Sequence, residues 1–306
     1  LAKTVVSSID RFFAHPWRAV FPFHRVKFRE LFSYGINLTG ARIFDYFSKN
    51  VDSILIARLL NAAQLGFYNF STSMPNKVQY EFTQSINRVL FPVYCRVQDD
   101  NPRFGVGLVK TLRLIALVSM PLLIGLMIVA EPFVRLYYGP GWDPVIAPLR
   151  ILCIAGIARA ILGTNGAVLN AKGRPDVILW WSVIRLPLTV ALIWFFAPRG
   201  VVGIATGVTI AAFMSLIPAK IGANLIELPF TKWLGALVPA TVSSLAMAAA
   251  LVIAQRFALP AGASEALQLG ILVPLGGLVY FAVVRTFYRD VFDEILQTGL
   301  SVFRRE

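Results

Sequence analysis

The sequence predicts an all-α integral membrane protein of eight transmembrane helices. Three observations lead there. Of 306 residues, 57% are hydrophobic and only 15% charged, whereas ordinary soluble domains carry about 25% charged residues. Four runs, 114–130, 200–219, 233–255 and 266–284, hold no charged side chain, and a helix needs roughly 20 apolar residues to cross a bilayer. These runs are continuous rather than alternating, which argues against a β-barrel.

The first 30 residues mix Phe12, Phe13, Trp17, Phe21 and Phe23 with Arg11, His15, Arg18, His24 and Arg25. That mixture reads as an interfacial connector or a solvated loop. Residues 31–60 and 63–94 are helical in period but strewn with polar groups. They become spans one and two through the positive charges. Lysines and arginines gather on the cytoplasmic side of membrane proteins. With eight spans and both ends inside, the inner connections hold Lys3, Arg11, Arg18, Arg25, Lys27 and Arg29, then Arg96, Arg103, Lys110 and Arg113. They go on to hold Lys172, Arg174, Lys220, Lys232, Arg285, Arg289, Arg304 and Arg305. The outer connections hold only Arg58, Arg135, Arg199 and Arg256. Removing one span would scramble that bias. Spans three to eight then fall on 114–130, 145–171, 177–197, 200–219, 233–255 and 266–284, with a mixed tail over 286–306.

The net charge of +13 would raise nucleic acid in a soluble protein. Here it reads as basic cytoplasmic loops, with no nucleic-acid partner. Cys95, Cys153, His15 and His24 have no metal-ligand spacing, so no metal and no cofactor is expected. No Gly-x-x-x-x-Gly-Lys loop, His-Glu-x-x-His or Ser/His/Asp arrangement occurs. The reading is transport, with no catalytic residue.

Candidate functional residues lie on the two polar spans. Tyr34, Asn37, Arg42, Asp45, Lys49 and Asp52 fall near one stripe of span one. Asn69, Ser73, Asn76, Tyr80, Thr83 and Asn87 form a stripe on span two, with Lys77, Glu81, Gln84 and Arg88 beside it. Each charge at a membrane centre costs roughly 2.5 to 3.5 kcal/mol on insertion scales, and each apolar residue returns only about 0.3 to 0.6 kcal/mol. The stripes therefore face protein or a hydrated cavity. Internal ion pairs, Asp45 with Lys49 and Lys77 with Glu81, are the bland alternative for individual charges. Arg159 and Arg185, alone on spans four and five, are secondary cavity candidates, with Asn165 and Asn170 weaker.

The motifs RVLFPVYCRVQDDNPRF (88–104), EPFVRLYYGPGWDPVIAPLRIL (131–152), NAKGRPD (170–176) and GARIFDYFSKNVDSILIARLLNAAQLGFYN (40–69) resemble those of bacterial polysaccharide-biosynthesis flippases. These form the O-antigen and colanic-acid exporter branch of the multidrug/oligosaccharidyl-lipid/polysaccharide superfamily. The resemblance implies a MATE-like second lobe of six helices over 31–229. Two added helices over 230–285 and a cytoplasmic amphipathic tail over 286–306 complete the division. It implies as cargo an undecaprenyl-pyrophosphate-linked oligosaccharide, moved across the bacterial inner membrane for lipopolysaccharide or exopolysaccharide synthesis. It also implies two partners, a first six-helix lobe that this chain lacks and polysaccharide polymerase machinery. Arg42, Lys49, Lys77 and Arg88 would then meet the pyrophosphate. Tyr34, Asn37, Asn76, Tyr80 and Asn87 would meet sugar, and Asp45, Asp52 or Glu81 would couple transport to an ion. Two alternatives stand beside this. A drug/cation antiporter of the same superfamily would want a net acidic cavity, yet the cations of the two polar spans slightly outnumber the acids. A membrane-embedded glycan transferase or polymerase would want a long acidic outer loop, and 131–144 offers only Glu131, Arg135 and Asp143.

Overall fold

The computed structural model describes residues 50–258, 260 and 263–288. All regular structure among them is helical. Five helical stretches are long and apolar enough to cross a membrane: Asn101–Tyr138, Pro140–Ala171, Asp176–Leu225, Phe230–Phe257 and Glu265–Phe287. The chain is a multi-pass membrane protein. The expected spans at 177–197 and 200–219 are joined in the third stretch. They separate at a 3-10 turn, Ala197–Arg199, and at Gly200, whose φ of 67° is open to glycine but strained for other residues.

We number the elements in chain order. Residues 50–59 are helical and are numbered α1. Helix α2 runs over Ala62–Val78, through a π-helical turn at Gln79–Gln84, to Ser85–Arg96. Helix α3 is Asn101–Tyr138, followed by a 3-10 turn at Pro140–Val145. Then come α4 (Ile146–Leu162), α5 (Asn165–Ala171), α6 (Pro175–Phe196), α7 (Gly200–Phe213) and α8 (Leu216–Leu225). The last three are α9 (Phe230–Gly235), α10 (Val238–Ile253) and α11 (Glu265–Phe287).

Helix α3 is much longer than the expected span at 114–130. At 1.5 Å per residue its 38 residues reach about 57 Å, beyond the hydrocarbon thickness of about 30 Å. Its start explains part of the excess. The Asp100 side chain accepts from the Arg103 amide and Pro102 occupies the first turn, a favourable helix entry. Arg103, Lys110 and Arg113 then ride on a helical extension instead of a loop.

Helices α3 and α4 pack together at the centre. Helix α4 also meets α2 and α7, α7 carries α6, and α10 and α11 lie on α3. Small residues permit this. Ala155, Gly156, Ala158 and Ala160 of α4 are buried. A Cβ on Gly156 would stand 3.0 Å from Pro75 Cβ and 3.1 Å from Leu123 Cδ1. A Cβ on Gly203 would stand 2.0 Å from the Phe196 carbonyl oxygen, so only glycine fits where α7 turns back on α6. Close approach of backbones is how helices gain contact in lipid, where the tails are as apolar as the helices. On α6, Trp180 is 67% and Trp194 65% exposed. Fourteen residues apart, they are separated by about 21 Å along the helix, a spacing suited to the two interfaces where tryptophan concentrates.

The expected span 145–171 is broken at Gly163 and Thr164, and the span 200–219 at Met214 and Ser215. The two breaks meet. Asn165 Nδ2 donates to the Ser215 carbonyl at 3.4 Å. Asn165 thus has a structural partner, while Asn170 is exposed.

Helix α3 contains Pro121 and Pro132. A helical proline has no N–H, so it leaves the carbonyl four residues earlier without its usual donor. Those carbonyls are Leu117 and Ile128. The Tyr280 hydroxyl of α11 donates to the Leu117 carbonyl at 2.7 Å. Gln255 Nε2, in the π-helical turn that ends α10, donates to the Ile128 carbonyl at 3.5 Å. Removing the Tyr280 hydroxyl by Y280F should lower the stability of the detergent-solubilised protein by about 1 kcal/mol. P121A should restore most of the loss, because the substituted residue supplies the missing backbone donor. Thermal denaturation of Y280F, P121A and the double variant checks this, and additive losses would refute it.

Candidate functional site

Of the predicted site residues, Tyr34, Asn37, Arg42, Asp45 and Lys49 lie outside the described residues, as do the side chains of Asn87 and Arg88. Asp52, Asn76, Lys77, Tyr80, Glu81, Arg159 and Arg185 are described.

Helices α1 and α2 are joined near the turn between them. Asp52 Oδ2 accepts from the Tyr68 hydroxyl at 2.5 Å. The Ser53 hydroxyl donates to Asn69 Oδ1 at 3.3 Å. Residues 68 and 69 are adjacent, as are 52 and 53, so two neighbouring rungs hold the pair. Tyr68 is almost wholly enclosed in the same apolar cluster as Ile56. A buried phenol needs an acceptor, and Asp52 supplies it.

Further along α2, Arg159 Nη1 of α4 donates to Asn76 Oδ1 at 2.9 Å. The level of this contact follows from the packing. Pro75 lies against Gly156, and the Thr83 hydroxyl donates to the Ala160 carbonyl at 3.3 Å. Helices α2 and α4 therefore run parallel, with Arg159 beside the middle of α2. The secondary candidate Arg159 joins the predicted stripe. Arg185 does not share that placement: it is half-buried on α6, which packs chiefly on α7.

Asn69, Asn76, Lys77, Tyr80 and Glu81 are exposed on α2, with Tyr80 58% open. A polar, part-cationic surface thus runs along the middle of this helix. The stripe differs from the sequence expectation in two ways. Thr83 is 1% exposed and turned into the α2–α4 contact, away from Tyr80. No ion pair joins Lys77 and Glu81 among the described residues. Both differences follow from the π-helical turn at Gln79–Gln84. Its wider turn inserts a residue into the helical period. Four-residue neighbours no longer stand one above the other, and residues beyond the turn rotate relative to those before it.

Tyr68 was not legible as a site residue. Its neighbours Phe67 and Phe70 are apolar and pack on Trp142, and only the polar tip distinguishes it from them.

Ion networks hold the two ends of the bundle. At one end Glu131 Oε1 meets Arg135 Nη1 at 2.7 Å, Arg135 Nε meets Asp143 Oδ1 at 3.0 Å, and Arg150 Nη2 meets Glu131 Oε2 at 3.4 Å. At the other, Lys172 donates to the Gln98 carbonyl and, at 2.6 Å, to Asn101 Oδ1. Asn101 Nδ2 donates in turn to Glu227 Oε1 at 2.9 Å. These networks tie connectors together and are not candidates for a site.

Among the described residues, no group of three His, Cys, Asp or Glu side chains is placed to hold an ion. With Cys95 and Cys153 replaced by Ala, S53C/N69C should form a disulfide under mild oxidation, visible as a mobility shift on denaturing gels. Failure of the pair to cross-link would refute the register of α1 on α2.

Comparison with known proteins agrees with the sequence motifs. Residues 1–147 match the model of a polysaccharide biosynthesis protein family. The chain is 26% identical over 296 residues to the teichuronic acid biosynthesis protein TuaB of Bacillus subtilis, covering 92% of this chain and 59% of that protein. It is 29% identical over 209 residues to the lipopolysaccharide biosynthesis protein WzxC of Escherichia coli, covering 66% of this chain and 42% of the relative. The succinoglycan biosynthesis transport protein ExoT of Rhizobium meliloti is 26% identical over 186 residues, covering 60% of this chain and 37% of that protein. Among solved structures, the lipid II flippase MurJ in an inward closed conformation superposes with a TM-score of 0.71 at 16% identity, over 94% of this chain and 59% of that one. That likeness shows the fold. The chain is similar to bacterial polysaccharide-biosynthesis exporters, and it spans 59% or less of the length of each of these relatives.

Proposed function

We propose that this chain is the second lobe, with two added helices, of a flippase for lipid-linked oligosaccharide. Residues 31–229 form the lobe and 230–285 the added pair. The cargo is an undecaprenyl-pyrophosphate-linked oligosaccharide, moved from the cytoplasmic to the periplasmic leaflet of the bacterial inner membrane. It serves lipopolysaccharide or exopolysaccharide assembly. A first six-helix lobe faces this one across the cavity, and polymerase machinery takes up the delivered cargo. Both ends of the chain lie on the cytoplasmic side. The cargo crosses without a covalent step, so the chain acts as a transporter and not as an enzyme.

The observation that carries this reading is Arg159. Its guanidinium lies beside the polar face of α2 and is bonded to a neutral amide, Asn76. No carboxylate pairs with it among the described residues. An ionised group inside a membrane bundle marks a substrate or ion path, and an arginine held by a neutral amide suits an anion. Guanidinium also matches the oxygens of a phosphate group in a way a point charge does not. Lys77, exposed on the same stretch of α2, adds a second cation. Asn69, Asn76 and Tyr80 offer the amides and the aromatic face that sugars use. The relatives named for polysaccharide biosynthesis and transport support the cargo class.

Replacing Arg159 by Gln in the full-length protein should lower polysaccharide export roughly tenfold, with R159K less impaired. Surface polysaccharide is measured against the amount of protein in the membrane. Normal export at a normal protein level in R159Q would remove Arg159 from the site.

A further inference from the structure

Neighbouring helices of the lobe are interrupted at one level. On α2 the interruption is the π-helical turn at Gln79–Gln84. Its Thr83 hydroxyl donates to the Ala160 carbonyl, just before α4 ends at Gly163. A Cβ on Gly163 would stand 3.2 Å from Thr83 Cγ2, so the turn lies against the break. Asn165 bonds the Ser215 carbonyl, where α7 gives way to α8. Helix α3 runs antiparallel to α4, with Leu123 against Gly156 and Glu131 against Arg150. Counted in that register, the Leu117 carbonyl, freed by Pro121, stands opposite Gly163. Helix α6 runs antiparallel to α7, with Phe196 against Gly203 and Leu192 against Gly207. The same count sets Val183 and Pro187 of α6 on either side of the 214–215 break. Pro132 of α3 and Pro274 of α11 lie further out.

Each side of this level packs within itself. On the outer side 62–78 of α2 meets α4, and α4 meets α7. On the inner side 85–96 of α2 meets α5, and α5 meets α8. Tyr94 of the inner part of α2 stacks on Phe104 of α3, and its hydroxyl donates to Thr111. The inner connectors are fastened together as well, Lys172 to Asn101 and Asn101 to Glu227. Helices kink at prolines and π-helical turns, because the bonds that resist bending are missing there. A single such site bends a single helix. Several at one level let the bundle bend.

We propose that this level is a hinge inside the lobe, on which the inner tier tilts as one body and opens or closes the inner end of the cavity. This motion lies within the lobe and is distinct from the rocking of one lobe against another. The tilt itself needs no cargo, and its use as a gate rests on the flippase reading.

The test places pairs of spin labels on exposed positions of the full-length protein in nanodiscs, with its own cysteines replaced by Ala. V106C with L179C lies within the inner tier, Y137C with F195C within the outer tier, and V106C with F195C across the level. The pair across the level should give a distance distribution about twofold broader than either pair within a tier. P121A/P187A returns a backbone donor to both freed carbonyls. It should narrow the distribution across the level to the width found within the tiers. It should also lower polysaccharide export roughly fivefold at an unchanged protein level. P274A, away from the level, should change neither width nor export. Should the double variant not assemble, P187A alone should give part of the narrowing. A distribution across the level no broader than the others overturns the proposal. So does one that the alanines leave broad, or normal export once it has narrowed. Export by R159Q reads the cargo site separately. Normal export by R159Q beside loss in P121A/P187A removes Arg159 from the site and leaves the hinge. Loss in R159Q beside equal widths for all pairs removes the hinge and leaves the site.

Discussion

A backbone carbonyl that loses its helical donor inside a bilayer has no water to turn to. In this chain that constraint fixes how the last two helices are held. Pro121 and Pro132 each free one carbonyl of α3, and Tyr280 and Gln255 answer them from α11 and from the end of α10. Two apolar helices in lipid gain little from hydrophobicity alone when they associate. Polar contacts at defined heights give the docking of α10 and α11 a register. Because α3 also packs on α4, and α4 on α2 and α7, the placement of the added pair and of the polar helices is referred to one central element.

The same economy appears wherever the helices are interrupted. Asn165 reaches the Ser215 carbonyl where two helices break side by side, and Thr83 reaches the Ala160 carbonyl just before the first of those breaks. Ser71 donates to the Val145 carbonyl at 3.2 Å, where the 3-10 turn passes into α4. Buried polar side chains of α2 are thus spent on backbone groups of its neighbour. Those that are not buried, Asn69, Lys77, Tyr80 and Glu81, are open on the helix surface, and exposed Asn76 meets Arg159 of α4 beside them. The division between packing and site therefore runs along a single helix, and the π-helical turn sets where one side becomes the other.

Much of the architecture was legible because lipid imposes a simple demand. Six apolar runs read from the sequence correspond to described helices. Arg96 and Lys172 to Arg174 mark two connectors, and Lys172 reaches Asn101 where the first of them passes into α3. Helix ends were less legible. The extension of α3 below residue 114 depends on a cap at Asp100, and the breaks at 163–164 and 214–215 fall inside apolar sequence that reads as continuous. The site was legible as a helix with too many polar residues, but not as an arrangement. A stripe at constant helical period holds up to Lys77, and the π-helical turn changes the period beyond it. Tyr68 was hidden because a phenol among phenylalanines looks like core. Its meaning depends on Asp52, sixteen residues earlier. Likewise nothing near Pro121 in sequence points to Tyr280.

Charge shows how the ends of the bundle differ from its middle. At one end Arg135 and Arg150 are matched by Glu131 and Asp143. At the other, Arg174 meets Asp176 at 2.9 Å and Arg103 meets Asp100 at 3.3 Å. Such pairs, each exposed by two-fifths or more, contribute little to stability one by one. They do cancel charge locally, and they order connectors that water could otherwise loosen. In the middle the pattern reverses. Desolvation makes an unmatched charge most unfavourable there, yet Arg159 is held by an amide and, nearer the α1–α2 turn, Asp52 by a phenol, with no ion pair to either among the described residues. Neutral partners satisfy their hydrogen bonds without cancelling their charge. A bundle that neutralises charge at its ends and leaves a guanidinium on a neutral partner in its middle fits the anionic cargo proposed above.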